Sequence, residues 1–167
     1  MTVAPASPAH TPAAYTPAQK LLHWAVVGLI ALQWLIFDSM GRPFHTTMET
    51  GARAWGLVPV AHLVIGLLVL ACALARLWLR RAHGAPEAPA GEPEVFRVAS
   101  KWAHRAIYAL LLAMPLSGLA AWFGLIGPAA EAHELLMNLL LALIAAHVAA
   151  VAVHQLWWKT GLLARMK

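Results

Sequence analysis

Six histidines lie in or beside apolar runs of this chain: His23, His62, His104, His133, His147 and His154. An ionisable side chain in apolar surroundings is costly, and inside a membrane such groups mark function. Imidazole is also the commonest protein ligand for metals and metal-bearing cofactors. Three of the six share one run, from Ala132 to Trp158. His133 and His147 are 14 residues apart, which on a helix places them within about 40° of one face and about 21 Å apart along the axis. His147 and His154 are 7 residues apart, within about 20° of one face. This helix presents a stripe of imidazoles, and the other histidine-bearing runs are its candidate partners. His10, His45 and His83 lie in polar stretches and read as solvated loop residues.

The elements that hold these residues follow from composition. The chain is 61% hydrophobic and 11% charged, against roughly 45–50% and 25% for a soluble domain. It reads as an integral membrane protein of one domain, residues 1–167. Residues 1–15, rich in Ala, Pro and Thr, read as a disordered lead without the charge and apolar order of a signal peptide. Spans are expected at about 18–37, 60–79, 101–123 and 131–158. Thr16-Pro17 is an N-cap and first-turn signal for the first span, Pro59 opens the second and Ser100 caps the third. Pro115 sits in the middle of the third, where it kinks the helix or is absorbed beside Ser117 and Gly118. Residues 38–58 and 82–99 read as connections. Cys72 is alone, so the chain forms no internal disulfide, and the lack of C-x-x-C-H excludes covalent c-type haem.

Charge sets the topology. Four spans put both termini and the 82–99 connection on one side. That side holds ten of the twelve Lys and Arg residues, leaving Arg42 and Arg53 on the other. The ten-rich side is expected to be cytoplasmic. The net charge of +5 comes from residues flanking apolar runs, so it does not point to nucleic acid. The sequence is silent on oligomeric state.

Depth then selects pairs. His23 enters from the inner side and His62 from the outer, about 18 Å apart in depth. On the last span only His133 and His147, about 21 Å apart, match that separation. The expected pairs are His62 with His133 near the outer face and His23 with His147 near the inner face, leaving His104 and His154 at the inner rim. Zinc wants three or four N/S/O ligands. No carboxylate or thiol is suitably placed; Glu134 adjoins His133 but points about 100° away. A haem b asks only for two axial imidazoles, an apolar slot and support for its propionates. Gly28, Gly66 and Gly118 offer clearance for a macrocycle or for close helix packing. The expected fold is an all-α membrane protein, a four-transmembrane-helix bundle enclosing two haems. Lys101, Arg105, His104 and His154 are candidate propionate or quinone contacts. Arg42 and Arg53 are candidates for steering a small anion.

The residues resemble the bacterial di-haem cytochrome b561 family over roughly Tyr15 to Lys167. The carriers are Tyr15-x4-Lys20-x2-His23-Trp24, His62-x3-Gly66 running to Arg76, His104-x3-Tyr108 with Pro115-x2-Gly118, His133-Glu134, His147-x6-His154, and Trp158-Lys159 before Leu163-x-Arg165-Met166. The connection between the third and fourth spans is short, and Ala132 stands where that family often has tryptophan. The resemblance implies axial pairs His23 with His147 and His62 with His133. It further implies a superoxide:ubiquinone oxidoreductase, taking an electron from superoxide at the outer face and passing it through both haems to membrane ubiquinone. The alternative is a cytochrome b membrane anchor carrying electrons between a hydrogenase- or formate-dehydrogenase-type partner and quinone. A histidine-lined metal or proton transporter would need more mid-span polar groups than Gln33, Ser117 and Asn138.

Overall fold

The computed structural model describes residues 14–36, 39–89 and 92–167. His10, Asp38 and most of the expected disordered lead lie outside the described residues. Within them the chain forms five α-helices, a short 3-10 helix and no strand: α1 (Pro17–Ile36), α2 (Gly41–Thr50), α3 (Leu57–His83), α4 (Glu94–Gly124), α5 (Gly127–Leu156) and the 3-10 turn Leu162–Met166.

Local chemistry sets the boundaries. At the start of α1 the Gln19 N–H donates to Thr16 Oγ1 at 3.2 Å, and the Thr16 N–H donates to Gln19 Oε1 at 2.9 Å. This reciprocal capping box satisfies two N–H groups that a helix start leaves without partners. The connection after α1 contains a helix of its own, α2, for which the sequence showed no element. That helix ends at Gly51, whose φ of 70° is the left-handed conformation glycine adopts without penalty. Fully buried Thr47 anchors it: Oγ1 donates to Pro43 O at 2.8 Å and accepts from Ala54 N at 2.9 Å. The third expected span begins at Glu94 rather than at about Lys101. Ser100 therefore lies inside α4 instead of capping it, and the second connection shrinks to residues 84–93. Pro93 is its N-cap residue, in an extended conformation, and its missing N–H costs α4 no helical hydrogen bond. α4 runs through Pro115, which is buried.

α1 packs on α3, α3 on α4 and α4 on α5. One apolar cluster joins all four: Val26, Ile65, Val69, Ala73, Leu111 and Leu140. The outward faces carry exposed Leu, Val and Trp, such as Leu57 and Trp157. α3, α4 and α5 are long and apolar enough to cross a membrane. α1 is 20 residues, about 30 Å by its rise, diluted by Gln19, Lys20, His23 and Gln33. It lies against α3 along its whole length: Gln19 Nε2 donates to Gly84 O at 3.0 Å at one end, and Gln33 Nε2 to His62 O at 3.1 Å at the other.

The first of these ends also gathers the C-terminal tail. Trp24 Nε1 donates to Met166 O at 2.8 Å, and Arg165 Nη1 to Glu87 O at 2.6 Å. The start of α1, the 84–93 connection and the tail thus share one end of the assembly, called the inner end below. α2 and the starts of α3 and α5 lie at the outer end.

Candidate haem-binding sites

The core side chains and the histidines share one register. His62, Val69 and Arg76 recur at intervals of seven on α3; His104, Leu111 and Gly118 do so on α4; His133, Leu140, His147 and His154 do so on α5. Seven residues are nearly two turns, so each set stays on one face and steps about 10 Å. Val69, Leu111 and Leu140, all at most 3% exposed, form a middle layer between an outer and an inner group of imidazoles.

At the outer end the rings of His62 and His133 lie 6.0 Å apart between centroids, tilted by 59°. His133 Nδ1 donates to Met114 O at 2.7 Å. A carbonyl only accepts, so the proton sits on Nδ1 and Nε2 is the nitrogen fit to bind a metal. Ser117 Oγ donates to the same Met114 carbonyl at 2.8 Å. Gly118 explains how the ring can sit so close to α4. A Cβ there would meet His133 Cε1 at 2.9 Å and Nδ1 at 3.0 Å. Its clearance therefore serves the His133 ring. A Cβ on Gly28 or Gly66 meets nothing within 4 Å, and Gly66, four residues after His62, shares its face.

These residues fit a bis-imidazole haem. Two metal–imidazole bonds of about 2 Å, with about 1 Å from each nitrogen to its ring centre, place in-line centroids about 6 Å apart. Two N–H donors at the outer end, Arg53 Nε and Trp122 Nε1, are buried without hydrogen-bond partners, and haem propionates are acceptors. No cluster of three or more His, Cys, Asp or Glu suited to a bare metal ion occurs among the described residues.

The inner group is larger than the sequence reading had it. His147 has His104 as its ring neighbour, edge-on at 5.1 Å. His104 Nδ1 is held by its own helix, through Ser100 O at 2.7 Å. His23 lies edge-on to Trp24 at 5.4 Å and within electrostatic range of His147, His104 and Arg76. At 5.1 Å His104 and His147 are closer than two rings with an in-line iron between them. His104 thus packs on His147 from α4, and His23 faces the same group from α1. Arg76, read from sequence only as a topology charge, reaches this group and stacks on Tyr108 at 5.8 Å.

The rim residues take other partners. Both nitrogens of buried His154 are engaged: Nδ1 with Thr160 Oγ1 at 3.0 Å and Nε2 with Glu92 Oε1 at 3.4 Å. This pairing depends on a connection that folds back onto α5. Sequence reading had no signal for Glu92. Lys101 is exposed, and Arg105 lies over the Trp102 ring at 4.9 Å on the exposed face. Arg53 donates from Nη2 to Phe123 O at 2.7 Å and stacks over the Phe123 ring. Its charge therefore opposes the negative end of α4. Arg42 is exposed and lines an outer groove of about 390 Å³ with Thr46, Trp55 and Pro59. His45 pairs with Glu49 on the surface of α2 at 3.4 Å.

Residues 14–167 match the model of the family described as prokaryotic cytochrome b561. The chain belongs to that family. It is similar to a protein named cytochrome b562 from Cereibacter sphaeroides, with 33% identity over 152 residues, 91% of this chain and 94% of that one. A more distant likeness is to the probable superoxide oxidase CybB of Yersinia pestis, 26% identical over 177 residues with the same coverage. Membership makes this a cytochrome b561-type membrane electron-transfer protein and implies haem b.

Proposed function

We propose that this chain carries two haem b groups, one between His62 and His133 and one between His23 and His147. In this reading it moves single electrons from superoxide at the outer face to ubiquinone in the membrane. α1 is the fourth span, both termini are cytoplasmic, and the membrane is the prokaryotic inner membrane. The observation that carries the reading is the outer pair: 6.0 Å between rings, with the His133 proton committed to Nδ1 by Met114.

When bound, haem supplies one-electron redox chemistry. The chain's own residues decide what kind. His62 with His133, and His23 with His147, would each hold a haem from two helices, and a haem held in this way would exchange only single electrons, outer-sphere, with a substrate. Val69, Leu111 and Leu140 exclude water from the layer between the sites and hold them about 20 Å apart along the helices, two heptad steps. Arg42 is the exposed cation that attracts a small anion to the outer groove. Arg53 adds field there while bound to the end of α4. Superoxide fits a closed-iron site because it is a small one-electron donor. The likeness to a probable superoxide oxidase supports this choice of donor.

The test has two parts. A reduced-minus-oxidised spectrum with haem quantified per chain should give two low-spin b haems. Stopped-flow mixing with superoxide should then reduce them rapidly, with re-oxidation dependent on added quinone. Sluggish reduction that accelerates only with a protein partner would favour the membrane-anchor reading instead.

A further inference from the structure

Among the described residues, Arg76 is an inner-end cation with a buried donor that lacks a hydrogen-bond partner. It lies on α3 at the heptad position of His62 and Val69, and the Ala73 side chain one turn before it is fully buried. Nη1 is buried with no hydrogen-bond partner. None of the ion pairs among the described residues includes it. The guanidinium lies against the face of Tyr108 on α4, and His23, His104 and His147 are all within its electrostatic range. A ring face and three imidazoles do not compensate a cation; the imidazoles, if protonated, repel it. A buried guanidinium N–H left so is costly unless an acceptor completes its shell. The neighbouring basic residues do not share this situation. Arg80 and Arg81 are exposed, and Arg105 is occupied by Trp102 on the outer surface.

We propose that Arg76 holds a propionate carboxylate of the inner haem through Nη1, and that its fixed charge raises the reduction potential of that haem. The proposal rests on the two-haem reading above. Its chemistry follows from geometry and sign. A guanidinium presents N–H donors in a rigid fork that matches a carboxylate. Reduction of the haem lowers its net charge by one, so a nearby cation favours the reduced form. Electrons arriving at the outer site are thereby drawn inward. Arg76 acts here as a positioning residue, through the haem and not on the substrate.

The experiment is a spectroelectrochemical titration of purified holoprotein, for wild type, Arg76→Gln, Arg76→Lys and Arg81→Gln, with the two haems assigned in a His133→Ala background. In Arg76→Gln the inner haem should shift to more negative potential. A tenfold change in the reduced-to-oxidised equilibrium, about 59 mV for a one-electron couple, is the expected scale. The outer haem and the Arg81→Gln protein should be unmoved. Arg76→Lys should recover most of the potential because the charge is kept. The redox-difference infrared band of the propionate carboxylate should nonetheless shift, because the fork is lost.

Arg76→Gln protein that holds both haems at unchanged potentials overturns the proposal alone. Equal shifts of both haems also overturn it, since they report a structural role through Tyr108. If Arg76→Gln protein does not accumulate, an unchanged carboxylate band in Arg76→Lys overturns it. Wild-type protein without haem overturns the two-haem reading itself, and this proposal with it.

Discussion

Gly118→Ala adds one methyl group to α4 and should empty the outer site while sparing the inner one. The new Cβ would stand 2.9 Å from His133 Cε1 and 3.0 Å from Nδ1. Carbon–carbon contacts are favourable from about 3.5 Å outward, so the ring must retreat by about 0.6 Å or α4 and α5 must part. Metal–ligand distances tolerate about 0.2 Å. The retreat also stretches the 2.7 Å bond from Nδ1 to Met114 O, which contributes about 1 kcal/mol and fixes the tautomer. Overpacking of this size costs about 1–3 kcal/mol, and each 1.4 kcal/mol is a factor of ten in affinity. Outer-haem affinity should therefore fall roughly 5- to 150-fold. The assay is haem per chain and the low-spin spectrum after purification at limiting haem. Gly28→Ala, with nothing within 4 Å of its Cβ, is the matched control for adding a methyl to a helical glycine. Full outer-haem occupancy with an unaltered spectrum in Gly118→Ala would refute the claim that His133 ligates from the position seen here.

The remaining predictions concern the inner pair, the outer charge and the rim. His23→Ala and His147→Ala should each remove the inner haem and leave the outer one, whereas His104→Ala should retain both; haem loss in His104→Ala with retention in His23→Ala would reassign the ligand. Arg42→Gln should slow haem reduction by superoxide without altering the spectrum. The wild-type rate should fall with added salt, because exposed charges are screened over about 8 Å at physiological ionic strength; a salt-independent rate removes the steering role. Glu92→Ala leaves buried His154 Nε2 without its partner and should cost about 1–3 kcal/mol in thermal unfolding, with haem content unchanged.

Composition and spacing made most of this architecture legible. Apolar length marked three of the spans, and the Thr16-Pro17 signal located the start of α1, since both are local properties of the chain. The glycine before the His133 ring was also legible, but its purpose was not. Gly118 clears space for the imidazole itself, a fact that depends on the height at which α4 meets α5. Depth matching along helix axes put His62 and His133 at one level, because rise per residue is fixed, and their rings do lie 6.0 Å apart. It could not see rotation about each axis, and rotation is what sets His104 rather than His23 edge-on to His147. The connections were least legible. Glu92 reaches His154 by a fold-back that no periodicity encodes. α2 was hidden because Gly41, Pro43 and Gly51 read as loop residues when they in fact sit at the ends of a helix.

The shared register explains why losing a ligand should stay local. On α5, Leu140 lies seven residues from both His133 and His147, and it is 1% exposed in the cluster with Val26, Val69 and Leu111. This layer is apolar and closely packed, and it touches all four long helices. It fixes their relative height whichever imidazoles lie above and below it. Each site is then built on one side of a common floor. His133 is oriented from α4 by Met114 and Gly118, while His104 is oriented from within α4 by Ser100. Neither device involves the other site. Removing one ligand pair leaves the floor intact and the opposite imidazoles in place. A substitution in the floor itself is different: Leu140→Ala opens a cavity and costs about 2–5 kcal/mol. It should loosen both sites together, and loss of only one haem in that variant would show that the layer is not their common support.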